Sequence, residues 1–245
     1  MKTALITGGT RGIGWAIAEM FAKNDYRVLV GGRKAPEGKH ENIRFFEMDV
    51  RERDDHRKMV EEAVKWTGRL DTSIQCAGVS QWRPVEDVDQ EFFDLLMRTN
   101  TEGTYWGMQA AAKVMKAGSS IIAISSLAGK RGSANNSVYC ASKFAINGMT
   151  QALAKELGPR GIRVNAVCPV YVETKTIIES LKDKRSPTGG QPVDTYFEIF
   201  AKGNSALHRL PLASEVASAC LFFDSAGASA ITGQCVNVDC GVMPQ

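Results

Sequence analysis

The sequence has little of what many function classes require. Its three histidines, His40, His56 and His208, share no spacing, and each reads as a surface residue. Its six cysteines (Cys76, Cys140, Cys168, Cys220, Cys235 and Cys240) form no Cys-x-x-Cys pair. The closest two, Cys235 and Cys240, lack the second pair that a zinc ribbon needs, so no metal site is expected. No apolar run approaches the ~20 residues of a membrane span. A strand pattern begins at residue 2, so no secretory leader is expected, and free thiols in a reducing cytoplasm are the simplest reading. The net charge is only +3, which does not argue for nucleic acid. The one dense basic stretch, Lys182-Asp183-Lys184-Arg185, contains an acid and reads as solvated surface.

What is present is an alternation of short apolar runs and helical stretches over 245 residues, a length suited to one large domain. Residues 2–7, Arg27–Gly31, Ile43–Met48, Leu70–Cys76, Ser120–Ser125, Ile162–Val167 and Cys235–Val238 read as strands. Arg53–Thr67, about 88–115, Ser137–Leu157 and Ser214–Phe223 read as helices. Such alternation predicts an α/β fold, a doubly wound parallel sheet of Rossmann type with helices on both faces, in a single domain. One stretch breaks the rhythm. Residues 175–211 carry Ser186-Pro187-Thr188-Gly189-Gly190-Gln191-Pro192 between two helical patterns. An insertion after the strand 162–167 is placed to act as a lid over a ligand at the carboxyl edge of the sheet.

Two constellations carry chemistry. The first is Gly8-Gly9-Thr10-Arg11-Gly12-Ile13-Gly14, between the first strand and a helical pattern. A strand, a tight glycine turn and a helix make a site for a pyrophosphate, because the glycines admit the ligand to the backbone and the helix N–H groups face its charge. The second is Ser126, then Tyr139 with twelve residues between, then Lys143 four further on. Tyr139 and Lys143 share a helix face. A nearby ammonium favours a phenolate, so Lys143 is expected to draw the phenol down from its ordinary ~10 toward a working acid–base.

Together these residues resemble the classical short-chain dehydrogenases/reductases, in the manner of 3-oxoacyl-carrier-protein reductases, over essentially the whole chain. Thr7-Gly8-Gly9-Thr10-Arg11-Gly12-Ile13-Gly14 matches the family's glycine turn, and Asp49-Val50 its adenine-contacting pair. Gln75-Cys76-Ala77-Gly78 stands where the family has Asn-Asn-Ala-Gly, Asn100 at the catalytic asparagine, and Pro169-Val170-Tyr171-Val172-Glu173-Thr174 at Pro-Gly-x-x-x-Thr. The resemblance implies a catalytic set of Asn100, Ser126, Tyr139 and Lys143. Tyr139 would exchange the proton, Ser126 would stabilise the substrate oxygen, Lys143 would hold the cofactor ribose, and Asn100 would fix a water. It implies dinucleotide binding by Gly8, Thr10, Arg11, Gly12, Ile13, Gly14, Arg33, Asp49, Val50, Cys76, Ala77, Gly78, Tyr139, Lys143, Pro169, Val172 and Thr174. Two departures stand out: Gln75-Cys76 in place of the asparagine pair, and Val170 in place of a glycine.

The cofactor expected is NADP(H). A carboxylate at the end of the second strand binds a free ribose 2′-hydroxyl, but that position is Gly32, followed by Arg33, with Arg11 nearby. A guanidinium suits a 2′-phosphate. The expected partner is a small carbonyl or alcohol, with no nucleic acid and no membrane. A pocket is expected from Ser126, Tyr139, residues 79–83, Tyr171 and the lid. Arg83, Lys130 and Arg131 read as surface charges. An NAD(P)-linked sugar or polyol dehydrogenase is the alternative enzyme, and a nucleotide sensor without turnover the alternative of another class. The resemblance also implies a homotetramer or homodimer, with Met108, Ala110, Ala111, Ala112 and Met115 on one helix, and Ala141, Phe144, Ala145 and Met149 on the next, as candidate faces.

Overall fold

The computed structural model describes residues 1–244. Among them, seven strands form one parallel sheet: β1 (Lys2–Thr7), β2 (Tyr26–Gly32), β3 (Ile43–Glu47), β4 (Thr72–Gln75), β5 (Ser120–Ile124), β6 (Arg163–Pro169) and β7 (Cys235–Val238). The spatial order is β3-β2-β1-β4-β5-β6-β7. Strand order reverses between β1 and β4, and such a reversal opens a crevice at the carboxyl edge. Thr7 lies opposite both Gly31 and Gln75 there.

The helices are α1 (Gly12–Lys23), α2 (Arg53–Thr67), α3 (Gln90–Leu96), α4 (Gly103–Val114), α5 (Ser137–Leu157), α6 (Lys175–Leu181), α7 (Val193–Asn204) and α8 (Ala213–Asp224). Each strand places successive side chains on opposite faces of the sheet. Ala4, Ile6, Val28, Val30 and Ile122 meet Ile17 and Phe21 of α1 and Val216 and Cys220 of α8. Leu5, Leu29, Ile121, Ala123 and Val164 meet Met59 of α2, Met108 of α4 and Ile146 of α5. Burial on both faces is why the strands read as unbroken apolar runs.

The expected helical region over about 88–115 consists of three consecutive pieces. Between α3 and α4 lies a π-helical stretch, Met97–Glu102, which carries Asn100. A π segment shifts the register of the helix, so it re-aims a side chain that an α-helix would point elsewhere. Residues 175–211 form α6, a chain of turns, and α7. The turns are compact: the Ser186 and Thr188 hydroxyls both donate to the Leu181 carbonyl, at 2.8 and 2.9 Å. The basic stretch at 182–185 is solvated and paired, Lys182 with Glu179 and Arg185 with Asp183.

Three expectations are corrected. His56 is not a surface residue: it is buried in α2, with Nε2 2.8 Å from the Val50 carbonyl. Met108, Ala111 and Met115 are buried against the sheet, so they form no outer face. On α5, by contrast, Phe144 is exposed. Lys130 is half-buried, and its Nζ donates to the Cys235 carbonyl. Among the described residues, no helix is long and apolar enough to cross a membrane.

Candidate active site

The glycine turn leaves β1 and wraps the start of α1. Gly8 has φ +67°, and a Cβ there would stand 2.6 Å from the Ala77 backbone. A Cβ on Gly14 would stand 2.2 Å from the Gly8 carbonyl oxygen. Backbone thus packs on backbone, and the first N–H groups of α1 are left facing the crevice, as a pyrophosphate requires. Gly12 lies against Thr174, whose Oγ1 caps α6 by accepting from the Ile177 N–H. Val172 is buried in the core beneath α1. The residues present therefore fit a dinucleotide, with Gly8, Gly12 and Gly14 as its cradle and Thr174 at its far rim.

The expected adenine end is held by local bonds. Asp49 accepts from Arg51 through its backbone N–H and its guanidinium, so its carboxyl is held below the usual carboxylate range, with Arg33 adding a smaller pull. At the end of β2, a Cβ on Gly32 would already touch the Thr10 side chain at 3.0 Å. Nothing acidic occupies that position, and a longer side chain would have to push Thr10 aside.

Ser126 follows β5, and its Oγ accepts the Ala128 N–H at 3.1 Å, which fixes its rotamer. Tyr139 and Lys143 project from α5, one turn apart, with Lys143 Nζ 5.7 Å from the Tyr139 ring centre. Tyr139 keeps part of its surface open, and the Ser126 and Ser80 hydroxyls stand near its phenol. Lys143 is buried, and its Nζ donates to the Ile124 carbonyl at 2.9 Å. The predicted lowering of the phenol is not observed. Burial pushes Tyr139 up to about 12, against the lowering exerted first by Ser126 and then by Ser80. Burial also brings Lys143 down to about 8. The reason is general: removing water penalises both charged forms, and here that outweighs the neighbouring groups.

Asn100 binds the loop after β4 at two points. Its Oδ1 accepts the Val79 N–H at 2.8 Å and its Nδ2 donates to the Val79 carbonyl at 2.9 Å. Nδ2 also donates to Ser142 Oγ at 3.0 Å, so both amide hydrogens are committed and none is left for a water. This joins the π stretch, the loop carrying Ser80, and α5.

The departures at 75–76 and 170 are accommodated. Gln75 is buried, accepts from Thr7 Oγ1 and donates to Ser73 Oγ. Its bulk fits because residue 107 is glycine; a Cβ there would collide with Gln75. The Cys76 backbone N–H reaches the Thr7 carbonyl at 3.2 Å, and its thiol is pushed up to about 12 by burial. Val170 has no left-handed backbone, so it needs no glycine.

A sequence profile described as enoyl-(acyl carrier protein) reductase matches residues 8–243. The chain belongs to the short-chain dehydrogenases/reductases. Within this family it is 31% identical to a diacetyl reductase [(S)-acetoin forming] of Staphylococcus aureus, over 98% of this chain and 97% of that one. It is also 31% identical to a 3-oxoacyl-[acyl-carrier-protein] reductase of Thermotoga maritima, over 99% and 98% of the two chains. Among solved structures, the ligand-free aldohexose dehydrogenase of Thermoplasma acidophilum superposes with a TM-score of 0.91 at 27% identity, covering 100% of this chain and 97% of that one. The protein is therefore an oxidoreductase of this family, which uses nicotinamide cofactors.

Sequence reasoning did not single out Ser80 beyond naming its loop. It also did not foresee the aromatic cluster of Tyr171, Tyr196, Phe197 and Phe200, whose neighbouring ring centres lie 5.0 to 6.3 Å apart. The four-residue, helical spacing of Tyr196 to Phe200 is the signal that was available. Arg83 is taken up by Asp89 and by the face of Phe92, 4.4 Å away. Arg131 is exposed, and it acts weakly on the Tyr171 phenol.

Proposed function

We propose that this chain is an NADP(H)-dependent reductase of small carbonyl compounds, with Tyr139 as its proton donor. The observation that carries this reading is the Tyr139 phenol at the carboxyl edge of the sheet, with the Ser126 and Ser80 hydroxyls near it and the buried Lys143 one helical turn behind. A phenol near 12 keeps its proton at neutral pH, so it enters the reaction as an acid. It donates to the carbonyl oxygen while the Ser126 hydroxyl stabilises the charge developing there. Lys143, close behind the ring, steadies the phenolate that remains. Asn100 acts at a distance from the substrate by holding the loop of Ser80. When bound in the cradle, a nicotinamide dinucleotide supplies the hydride. In the reverse direction the same groups take a proton from an alcohol.

Tyr139→Phe tests the assignment. We expect kcat to fall by about a thousandfold on any accepted carbonyl, while titration still shows cofactor binding within a few-fold of wild type. Unchanged turnover would refute the role. A wild type and variant equally inert across a broad carbonyl panel would favour a nucleotide sensor.

NADP(H) is supported by Arg33, which directly follows the end of β2, and by the missing acid at Gly32. Arg33→Ala should raise KM for NADPH at least tenfold, the order of one charge-assisted hydrogen bond, and leave KM for NADH nearly unchanged. A wild type that prefers NADH would overturn the choice.

Residues 175–211 act as a lid over the substrate in this reading. A sugar or polyol dehydrogenase is the second reading, favoured by the likeness to an aldohexose dehydrogenase. The exposed Phe144 and the groove between α4 and α5, lined by Tyr105, Gln109, Leu153 and Arg160, support a homotetramer or homodimer. Six free thiols fit a cytoplasmic setting.

A further inference from the structure

The stretch between Gly32 and His40 carries Arg33, Lys34 and Lys39, and its own main chain does little to hold it in place. Its two ends are tied. The Gly32 carbonyl accepts the Met48 N–H at 3.0 Å, and the His40 carbonyl accepts the Ile43 N–H at 3.0 Å. His40 Nδ1 also takes the Asn42 N–H at 3.1 Å. Among the described residues, no hydrogen bond reaches residues 33–39. Two contacts support them. Glu37 pairs with Lys175 at 3.8 Å, but both side chains are 95% exposed, and such a pair holds weakly. The other contact is with Trp15. A Cβ on Gly38 would stand 2.4 Å from Cζ2 of the indole and 2.8 Å from Cε2. The main chain at Gly38 therefore lies directly on the ring, with no room for a side chain between them.

Trp15 is itself well fixed. It lies in the first turn of α1, where its N–H donates to the Arg11 carbonyl at 3.2 Å, and it packs against the apolar core that α1 shares with the sheet. Gly38 does not have a left-handed backbone, so its missing side chain serves the ring and not a turn. Because α1 opens on the glycine turn, one helix both continues the cradle and supports the cation-bearing loop. A loop that must be ordered as its ligand binds loses affinity to that ordering, whereas a loop already seated does not.

We propose that Trp15 is a positioning residue for cofactor choice: its indole seats Gly38 and so presents Arg33 and Lys34, already ordered, to a ribose 2′-phosphate. It acts through the loop and takes no part in the chemistry. This rests on the NADP(H) reading above and deepens it, since it names what holds the two cations in place. NADPH and NADH differ only in the 2′-phosphate. Loss of the seat therefore weakens NADPH and spares NADH, which the glycine turn still cradles. A defect in the turn itself would weaken both alike.

Calorimetric titration of the full chain with NADPH and with NADH tests this. Trp15→Ala should weaken NADPH about tenfold and NADH less than twofold, whereas Trp15→Phe, which keeps a flat ring, should recover part of the loss. Gly38→Ala pushes the loop off the indole from the other side and should also weaken NADPH selectively. In the Trp15→Ala background the same methyl meets no ring, so the double variant should be no worse than Trp15→Ala alone. If Trp15→Ala does not fold, Gly38→Ala and Trp15→Phe carry the test. NADPH affinity unmoved in the folded variants, equal losses for both cofactors, or additive losses in the double variant would each overturn the assignment. The wild type separates the two levels. If it prefers NADPH and the variants keep that preference, only the role of Trp15 fails; if it shows no preference, the NADP(H) reading fails and this inference with it.

Discussion

The glycine turn and the segment 175–211 are joined through Thr174, which lies against Gly12 and caps the first helix of the segment, yet they are built on different principles. The turn is backbone packed on backbone. Gly8 and Gly14 have no room for one more carbon, and the neighbours that would be struck are main-chain atoms of Gly8 and Ala77. The segment is side chain packed on side chain: Leu181, Val193 and Phe197 close on Trp82, with Tyr171 and Tyr196 at the edge. A backbone cradle recognises what all dinucleotides share. A side-chain cluster can be exchanged residue by residue, so it suits the part of the site that sets the substrate. The contrast says that mutations in the turn should be all-or-none, whereas mutations in the segment should be graded.

The sharpest way to break that contrast is Gly14→Ala. Its methyl carbon would sit 2.2 Å from a carbonyl oxygen, so the turn itself must move. We expect a cost of roughly 3 kcal/mol, the upper part of the range for overpacking. Dinucleotide affinity should fall on the order of a hundredfold, as read by fluorescence or calorimetric titration. Affinity within twofold of wild type would show that the turn is pliable and that the contrast is false.

A graded response is expected from Leu181→Ala. Leu181 is fully buried, and its carbonyl accepts from Ser186 and Thr188. The substitution should cost about 2–5 kcal/mol where the cavity cannot collapse. Two forms of that loss can be told apart. If the segment unfolds with the domain, Tm falls by roughly 5–15 °C for a chain of this size. If it opens by itself, Tm barely moves and limited proteolysis cuts within 182–192 instead. Either result leaves cofactor affinity near wild type. A large loss of affinity would mean that the segment and the turn form one unit.

The same contrast explains what was legible in the sequence. The parallel sheet, the glycine turn and the span of α5 could be read directly, because periodicity, glycine placement and residue spacing report on backbone. α5 starts and ends at the residues its pattern indicated, Ser137 and Leu157. The π stretch at Met97–Glu102 was hidden, since its apolar spacing is close to that of an α-helix, and with it the double bond from Asn100 to Val79. The protonation of Tyr139 was read in the wrong direction. The ammonium four residues on was visible, but burial, which dominates, depends on chain segments far apart in sequence. Gln75 stood out only as a departure from asparagine; the room made for it by Gly107, 32 positions away, becomes evident only when α4 is laid on β4.

The smallest effect is expected on the cofactor side, at His56. It was read as exposed because nothing in Asp54-Asp55-His56-Arg57-Lys58 suggests burial, yet it lies on the inner face of α2. Burial lowers its pKa, against the raising influence of the Val50 carbonyl and then of Asp55 and Asp49. A lowered histidine stays neutral in the folded protein at a pH where the unfolded chain, at ~6.5, has already taken up a proton. The unfolded state then binds more protons, so stability is lost as pH falls below about 6.5. His56→Gln should cost about 1 kcal/mol at pH 7.5 through the hydrogen bond to Val50, and this deficit should shrink or reverse at pH 5, where only the wild type carries the penalty. Urea unfolding at the two pH values measures it. Because Val50 is an expected adenine contact, cofactor affinity of the wild type should weaken over the same interval more than that of the variant. A deficit constant with pH would mean that His56 takes up its proton in the folded state as readily as in the unfolded chain, so that burial does not hold the ring neutral.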